Sequence, residues 1–344
     1  MKKSLIALAV LAASGAAMAQ SSVTLYGVAD IWFGSTRSEV TVGGVTFKDP
    51  SQTVLQDGGV SNSRFGFKGS EDLGGGLKAN FQLEQGFSID TGKSDSAGFN
   101  RQAWVGFSGG FGEVQLGKAY NAFDDVSALA ASTFDSDLAP INNVFVSTAF
   151  ANAYSNTIKY ATPNFGGFSG AVSMSLGENK DLPTTGPKHS ADSIYSISGK
   201  YENGPLAVGI GYAKEKSEVA PAYDAKATRL AGSYDLGVAK LLGTYGRVTE
   251  GDARVTEYEI GADVPLSAAM TLSGGYARTK LTVPGAEGTL KSFGVAVAYS
   301  LSKRTTAYAG LNRTTGNGGV TDDTVALNVE GKATIYAIGV KHTF

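Results

Sequence analysis

The sequence predicts an all-β chain that closes into a transmembrane antiparallel barrel of about sixteen strands. Three observations predict it: recurring period-two alternation of apolar with polar or small residues, no helix-length apolar segment in the body of the chain, and connections that alternate between short and long. Composition agrees. Of 344 residues, 46 are glycine, 9 are proline and none is cysteine, while 17% are charged and 10% aromatic. Charged residues fall below the roughly 25% of ordinary soluble domains, and glycine stands near twice its usual ~7%. Few prolines and many aromatics exclude a disordered or collagen-like chain. The lack of cysteine excludes disulfides, thiol nucleophiles, zinc-thiolate sites and iron–sulfur clusters. A formal charge of −2 offers no basic excess for nucleic acid.

Residues 1–19 read as a secretory signal peptide and 20–344 as the barrel. Lys2 and Lys3 form the positive start, Leu5 to Leu11 the apolar run, and Ala17-Met18-Ala19 the small-residue cleavage site before Gln20. An anchor helix would need about 20 apolar residues and a stop-transfer flank, and neither is present. Losing the two lysines leaves 27 basic against 31 acidic side chains, about −4, on an exported chain.

The first strand candidate runs from Val23 to Phe33, with Val23, Leu25, Ala29 and Ile31 on one face and Thr24, Tyr26 and Asp30 on the other. Leu77, Ala79, Phe81 and Leu83 alternate with Lys78, Asn80, Gln82 and Glu84. Leu206, Val208, Ile210 and Tyr212 repeat the pattern, as do Tyr258, Ile260, Ala262 and Val264. A soluble sandwich also alternates, so other features must decide. Tight turns are read at Glu71–Gly75, Ser108–Gly110, Glu202–Gly204, Asp235–Gly237 and Leu301–Lys303. Longer stretches begin near Ser35, Thr91, Ala119, Glu178, Ser217, Val283 and Thr314. Short turns at one end and long loops at the other suit an outer-membrane barrel. Phe107, Phe111, Phe165, Phe168, Tyr201, Tyr234 and Tyr299 cluster beside the short turns, as a membrane-interface girdle would. The last strand candidate ends Tyr336, Ile338, Val340, His342, Phe344 and must pair with the first, because unpaired backbone in hydrocarbon costs several kcal/mol per group.

The stretches Val23–Gly27, Ser63–Gly69, Glu71–Leu77, Arg101–Gly106 and Val340–Phe344 resemble the general bacterial porins, particularly the betaproteobacterial and neisserial branch. The similarity spans nearly all of the exported chain. It implies a sixteen-stranded barrel in the bacterial outer membrane, a homotrimer, contact with outer-membrane lipid and lipopolysaccharide, and passive conduction of ions and small hydrophilic solutes, with no cofactor.

The forty residues from Ala119 to Ile158 contain no lysine or arginine but carry Asp124, Asp125, Asp135 and Asp137. A connection this long is uncommon without a role. In similar porins the third long loop enters the barrel, which makes these four carboxylates the expected acidic side of a constriction; an acidic surface loop is the other reading. The basic side is expected at Arg64 and Lys68, opposite in parity to Phe65 and Phe67, with Arg101 by resemblance and Lys118 as a further candidate. An Arg on the lipid face near the midplane would cost roughly 2–4 kcal/mol, which favours an inward Arg64. Arg101 shares parity with Ala103 and Val105, so an inward Arg101 leaves Trp104 for the lipid or a neighbouring subunit. Similar porins often carry another arginine just upstream of the Asn-Ser/Thr pair that here is Asn156-Thr157. Ala153, Tyr154 and Ser155 stand there instead, which weighs against a strong anion preference.

The function expected is a general diffusion channel, with a substrate-specific channel as the alternative and a barrel hydrolase behind it. His189 and His342 are the only histidines and neither sits beside a Gly-x-Ser-x-Gly motif, so no catalytic residue is assigned. Asp135-Ser136-Asp137 lacks the closing glutamate of a calcium loop, and no metal site is assigned. Gly209 and Gly211 lack the third glycine and the helix of a dinucleotide site, and read as lining for a crowded lumen wall.

Overall fold

The computed structural model describes residues 22–344 apart from 95–97, 133, 178–192, 218–222 and 323–324. The signal-peptide reading of residues 1–19 and His189 lie outside the described residues. Alternating side chains and glycine turns form eighteen strand segments in one sheet. The first part comprises β1 (Ser22–Val42), β2 (Val45–Lys48), β3 (Gln52–Asp57), β4 (Arg64–Gly74), β5 (Leu77–Gly86), β6 (Gln102–Gly109) and β7 (Gly112–Tyr120). After a long insertion come β8 (Ala153–Ala161), β9 (Phe168–Ser175), β10 (Ser193–Asn203), β11 (Leu206–Ser217), β12 (Tyr223–Asp235) and β13 (Lys240–Glu250). The wall is completed by β14 (Ala253–Pro265), β15 (Met270–Val283), β16 (Ala286–Ser300), β17 (Thr305–Asp322) and β18 (Val325–Thr343).

β2, β3 and β4 follow one another along the same flank of β1, so three segments share one position and the closed barrel has 16 strands. Every pairing is antiparallel, and β18 returns to β1 from Val28 opposite Thr343 to Val42 opposite Val329. The seam is extended by Gly27 N–H donating to the Phe344 carbonyl at 2.9 Å and Phe344 N–H donating to the Gly27 carbonyl at 3.1 Å. Closure leaves the wall without a free edge, as a hydrocarbon surrounding demands.

The apolar stripes point outward. Val23 is 65% exposed, Ile210 55% and Ile260 63%, whereas their strand neighbours Ala213 and Glu257 are fully buried inside. In a soluble sandwich the stripes would be the covered face, so their exposure here assigns them to lipid. At the short-turn end Phe107, Phe111, Phe165, Phe168, Tyr234 and Tyr299 are all exposed, and Phe168 packs on Tyr201 with ring centroids 4.5 Å apart. Gly74, Gly75 and Gly76 make the first short turn at φ of 86°, 62° and 83°, a backbone that side chains resist.

Three expected loops are instead strand. Beyond Ser35 the chain stays in β1 to Val42, beyond Thr314 it stays in β17 to Asp322, and at Val283 a two-residue turn joins β15 to β16. These strands continue past the apolar band with polar residues on their outer face, so the alternation that marks strand fades although the ladder continues.

Candidate functional site: the inner loop and the basic wall

The insertion between β7 and β8 lies inside the barrel. It holds a 3-10 turn (Asp124–Ala130), one short helix α1 (Pro140–Val144) and a second 3-10 turn (Ser147–Phe150). Its apolar side chains fill hollows left by small residues of the wall. Phe123 and Phe150 pack with Ala213, Ala225 and Ala227, and Leu138 with Ala296 and Ala337. A Cβ at Gly209 would stand 2.5 Å from Leu129, and one at Gly211 would stand 3.2 Å from Phe123 and Val126. The glycines therefore make room for the loop, as the sequence suggested.

Polar contacts fix its height. Arg229 of β12 donates to Ser127 Oγ at 2.5 Å and to Ser147 Oγ at 2.6 Å. Glu257 of β14 accepts from the backbone N–H groups of Val146 at 2.9 Å and Ser147 at 3.2 Å. Thr279 donates to the Val144 carbonyl at 2.8 Å, and Asn312 to that of Leu138 at 3.3 Å. On the other flank Asp135, Asp137 and Leu138 donate their N–H groups to the carbonyls of Val60, Gly58 and Gly59. The loop thus bridges the barrel from β14 to the segment between β3 and β4.

Across from it stands a basic group on β4 and at the mouth of β6. Arg101 Nε meets Glu84 Oε1 at 2.6 Å and its Nη2 donates to Tyr120 Oη at 2.8 Å. Arg64 Nε lies 3.9 Å from Glu84 Oε2, and Tyr26 Oη donates to that same oxygen at 2.8 Å. Lys68 shares the inward face of Arg64 and sits over the Tyr26 ring at 5.2 Å. Lys118 does not join them. Its partner in the ladder is Ala103, on the outward row of Val105 and Leu116, and its ammonium ends on the Ala153 carbonyl at 3.1 Å.

Trp104 requires a correction. It is 9% exposed and points inward beside Gln102, to whose side chain its Nε1 donates at 3.0 Å, while Val105 and Phe107 face lipid. Arg101 reaches the lumen because it precedes the first residue of β6, where the pleat no longer sets direction.

The four loop carboxylates meet different surroundings. Asp125 is neutralised by Lys159 of β8 at 2.6 Å. Asp135 is exposed, accepts from Asn142 at 3.1 Å, and is close enough to Arg101 for their charges to couple. Burial pushes the Asp124 carboxyl up to about 6, with neighbouring Asp125 adding to the effect and Lys159 opposing it. Burial also raises Asp137 to about 6, against the hydrogen bond from Trp32 Nε1 at 3.1 Å, with Asp57 and Asp30 adding negative charge nearby. Among the described residues no group of three or more His, Cys, Asp or Glu is arranged to hold a metal.

The sequence profile of the Gram-negative porins matches residues 5–319. The chain belongs to that family. Outer membrane porin protein 32 of Delftia acidovorans is 35% identical over 337 residues, 90% of this chain and 89% of its own. A major outer membrane protein P.IB of Neisseria meningitidis serogroup B is 32% identical over 320 residues, 89% of this chain and 91% of its own. The anion-selective porin from Comamonas acidovorans superposes with a TM-score of 0.75 at 28% identity, over 94% of this chain and 100% of that one. This porin is therefore a diffusion channel of the bacterial outer membrane.

Several residues that shape the lumen of the porin escaped the sequence reading. Glu84 was visible only as one polar member of an alternating strand, although it joins Arg64 to Arg101. Arg229 and Glu257, which hold the loop, carry no local motif. Arg229 stands out only as a charged residue among the small inward side chains Ala225, Ala227 and Ala231 of β12, and Glu257 is one of three carboxylates, with Glu259 and Asp263, on the inward row of β14.

Proposed function

We propose that solutes pass through a constriction bounded by Arg64, Lys68 and Arg101 on the wall and Asp135 on the inner loop. The observation that carries this reading is the seating of the loop across the lumen, with the exposed Asp135 close enough to Arg101 for their charges to interact. Cations on one side and a carboxylate on the other set a transverse field in a narrow aqueous gap, which aligns polar solutes and gives apolar ones no gain. Glu84 offsets part of the basic charge and Lys159 cancels Asp125, so the balance is slight and weak anion preference is expected. The related Comamonas porin is described as anion-selective, which agrees in sign. The chain's kinship with the porins supports reading it as a channel rather than an enzyme. Cleavage after Ala19 and assembly as a homotrimer complete the reading; the fold is shared with an outer membrane protein of Vibrio cholerae described in a trimer form.

Reconstitution in a planar bilayer tests it. Stable ohmic steps with a small anion-favouring reversal potential in a salt gradient are expected. Absence of conductance, or saturation by one solute class at low concentration, would replace general diffusion by a closed barrel or a substrate-specific channel.

A further inference from the structure

The inner wall holds a hollow of about 310 Å³ that the passage of ions does not require. Lys68, Ser70, Asn80, Gln82, Trp104 and Glu113 line it, on the neighbouring strands β4 to β7. The sheet register explains why they meet. Lys68 stands opposite Gln82, which stands opposite Trp104, so the three form one row across the inner wall. Ser70 and Asn80 form the next row toward the turn at Gly74, and Glu113 enters one row further, opposite Ser108. The short turns mark the periplasmic end. Lys68 lies between Arg64 and that turn, so a solute that has cleared Arg64 and Arg101 meets this hollow next.

The lining is held in place by the wall itself. Asn80 Nδ2 donates to Ser108 Oγ at 2.8 Å, Gln82 Nε2 to Tyr26 Oη at 2.6 Å and Trp104 Nε1 to Gln102 Oε1 at 3.0 Å. Glu113 Oε2 accepts from Gln115 at 3.2 Å. Each amide commits one hydrogen to the wall, which fixes its plane and leaves its second hydrogen and its oxygen for a solute. Side chains fixed in this way lose little freedom when they bind. Among the described residues no carboxylate lies within 4.0 Å of Lys68 and no cation within 4.0 Å of Glu113.

Charge and spacing select the occupant. One ammonium and one carboxylate leave the lining without net charge, so it does not single out anions as the arginines above it do. An α-amino acid would have to engage both charges at once. The rows of Lys68 and Glu113 cross β5 at Gln82 and Lys78, four residues apart, or about 13 Å along the strand, which is too far for it. Between the two charges stand donors and acceptors of both amides and the Ser70 hydroxyl, and Trp104 adds an apolar edge. A neutral sugar ring presents the matching mixture, with hydroxyls that donate and accept around its rim and C–H groups on its faces. We infer that this hollow is a retention subsite for a monosaccharide in transit. The inference rests on the channel reading and adds a solute class to it. A conducting pore must release what it binds, so the subsite saturates only at millimolar concentrations and general diffusion continues through it.

The test titrates the full-length porin in detergent with D-glucose and follows tryptophan fluorescence, with bilayer conductance recorded in parallel. The chain has two tryptophans, and Trp32 is 1% exposed, so a sugar in the hollow reports through Trp104. A saturable change is expected in the wild type. N80L removes the hydrogen bonds that one amide offers the solute and should raise the half-saturating glucose concentration at least about fivefold. W104F should lose the fluorescence response. Tetraethylene glycol, similar in size but poor in donors, should give no saturable change. A wild type without a saturable response, equal half-saturation in N80L, or a response that survives in W104F would overturn the proposal. So would a saturable response to acetate in place of glucose, which would assign the hollow to an anion. Should N80L not fold, the contrast between glucose and tetraethylene glycol on the wild type still decides, and equal responses to the two would overturn it. Intact conductance without a glucose response would sink the subsite and leave the channel reading standing, whereas a saturable response without conductance would uphold the subsite and sink the channel reading.

Discussion

Replacing Arg101 with Gln tests the wall charge with the least structural cost. Arg101 is tied to Glu84 at 2.6 Å and to Tyr120 at 2.8 Å, and Gln keeps a donor for either partner. Glu84 keeps Arg64 at 3.9 Å and the Tyr26 hydroxyl, so it is not stranded as an unpaired charge. The net effect is the loss of one positive charge at the gap. An ion passing about 8 Å away in water would feel a change of roughly 0.5 kcal/mol. Screening at about 0.1 M salt, with a Debye length near 10 Å, reduces this to roughly 0.2 kcal/mol. The term acts with opposite sign on anions and cations, so the anion-to-cation permeability ratio should fall about twofold. At about 1 M the Debye length is near 3 Å and the shift should vanish. Reversal potentials of R101Q and wild type in low-salt and high-salt gradients measure both quantities. A shift toward anions, or a shift of the same size at both salt levels, would refute the idea that Arg101 acts as a charge in the aqueous path.

Asp135→Asn should move the reversal potential the other way, toward anions, by a similar factor, because Asp135 is the exposed carboxylate of the loop; a cation-ward shift would remove it from the gap. Arg229→Ala removes two hydrogen bonds to the loop, each worth about 1.5–3 kcal/mol because the donor is charged. It should raise current noise and lower the temperature of heat-induced unfolding in detergent, and an unchanged unfolding temperature would show that the loop is held by its apolar packing alone. Asp124 and Asp137, both raised to about 6, are ionised at neutral pH and take up protons as pH falls through that value. The lumen then loses negative charge, so anion preference should grow between about pH 7 and pH 5. D124N/D137N should flatten that response, and a wild type whose reversal potential does not change across the interval would show that neither carboxylate faces the ion path.

Much of the wall was legible because alternation is a local property. Each inward or outward position along β5, β11, β14 and β18 follows from its neighbours two residues away, and the exposed Ile210, Ile260 and Ile338 stand where period two puts them. The same rule puts Arg64 and Lys68 on one face of β4, opposite Phe65 and Phe67. It failed for Arg101, because a residue just outside a strand is not bound by its pleat; Trp104, read as outward only to leave Arg101 inward, alternates with the outward Val105 and Phe107. Lys118 is a candidate only because it immediately precedes the acidic insertion; its parity with Leu116 places it on the outward row. Glu84 lies 17 residues from Arg101 and pairs with it only through the β5–β6 register.

The sequence by itself determined that lipid-facing stripes and water-facing stripes alternate around a closed wall, since that choice is made residue by residue through transfer from water to hydrocarbon. It also determined that a long, acidic insertion without cations interrupts the wall. Only the tertiary structure decided where that insertion rests and which of its charges remain free. Arg229 reaches Ser127 across 102 positions and Glu257 reaches Ser147 across 110, and no local pattern encodes contacts that depend on the barrel having closed.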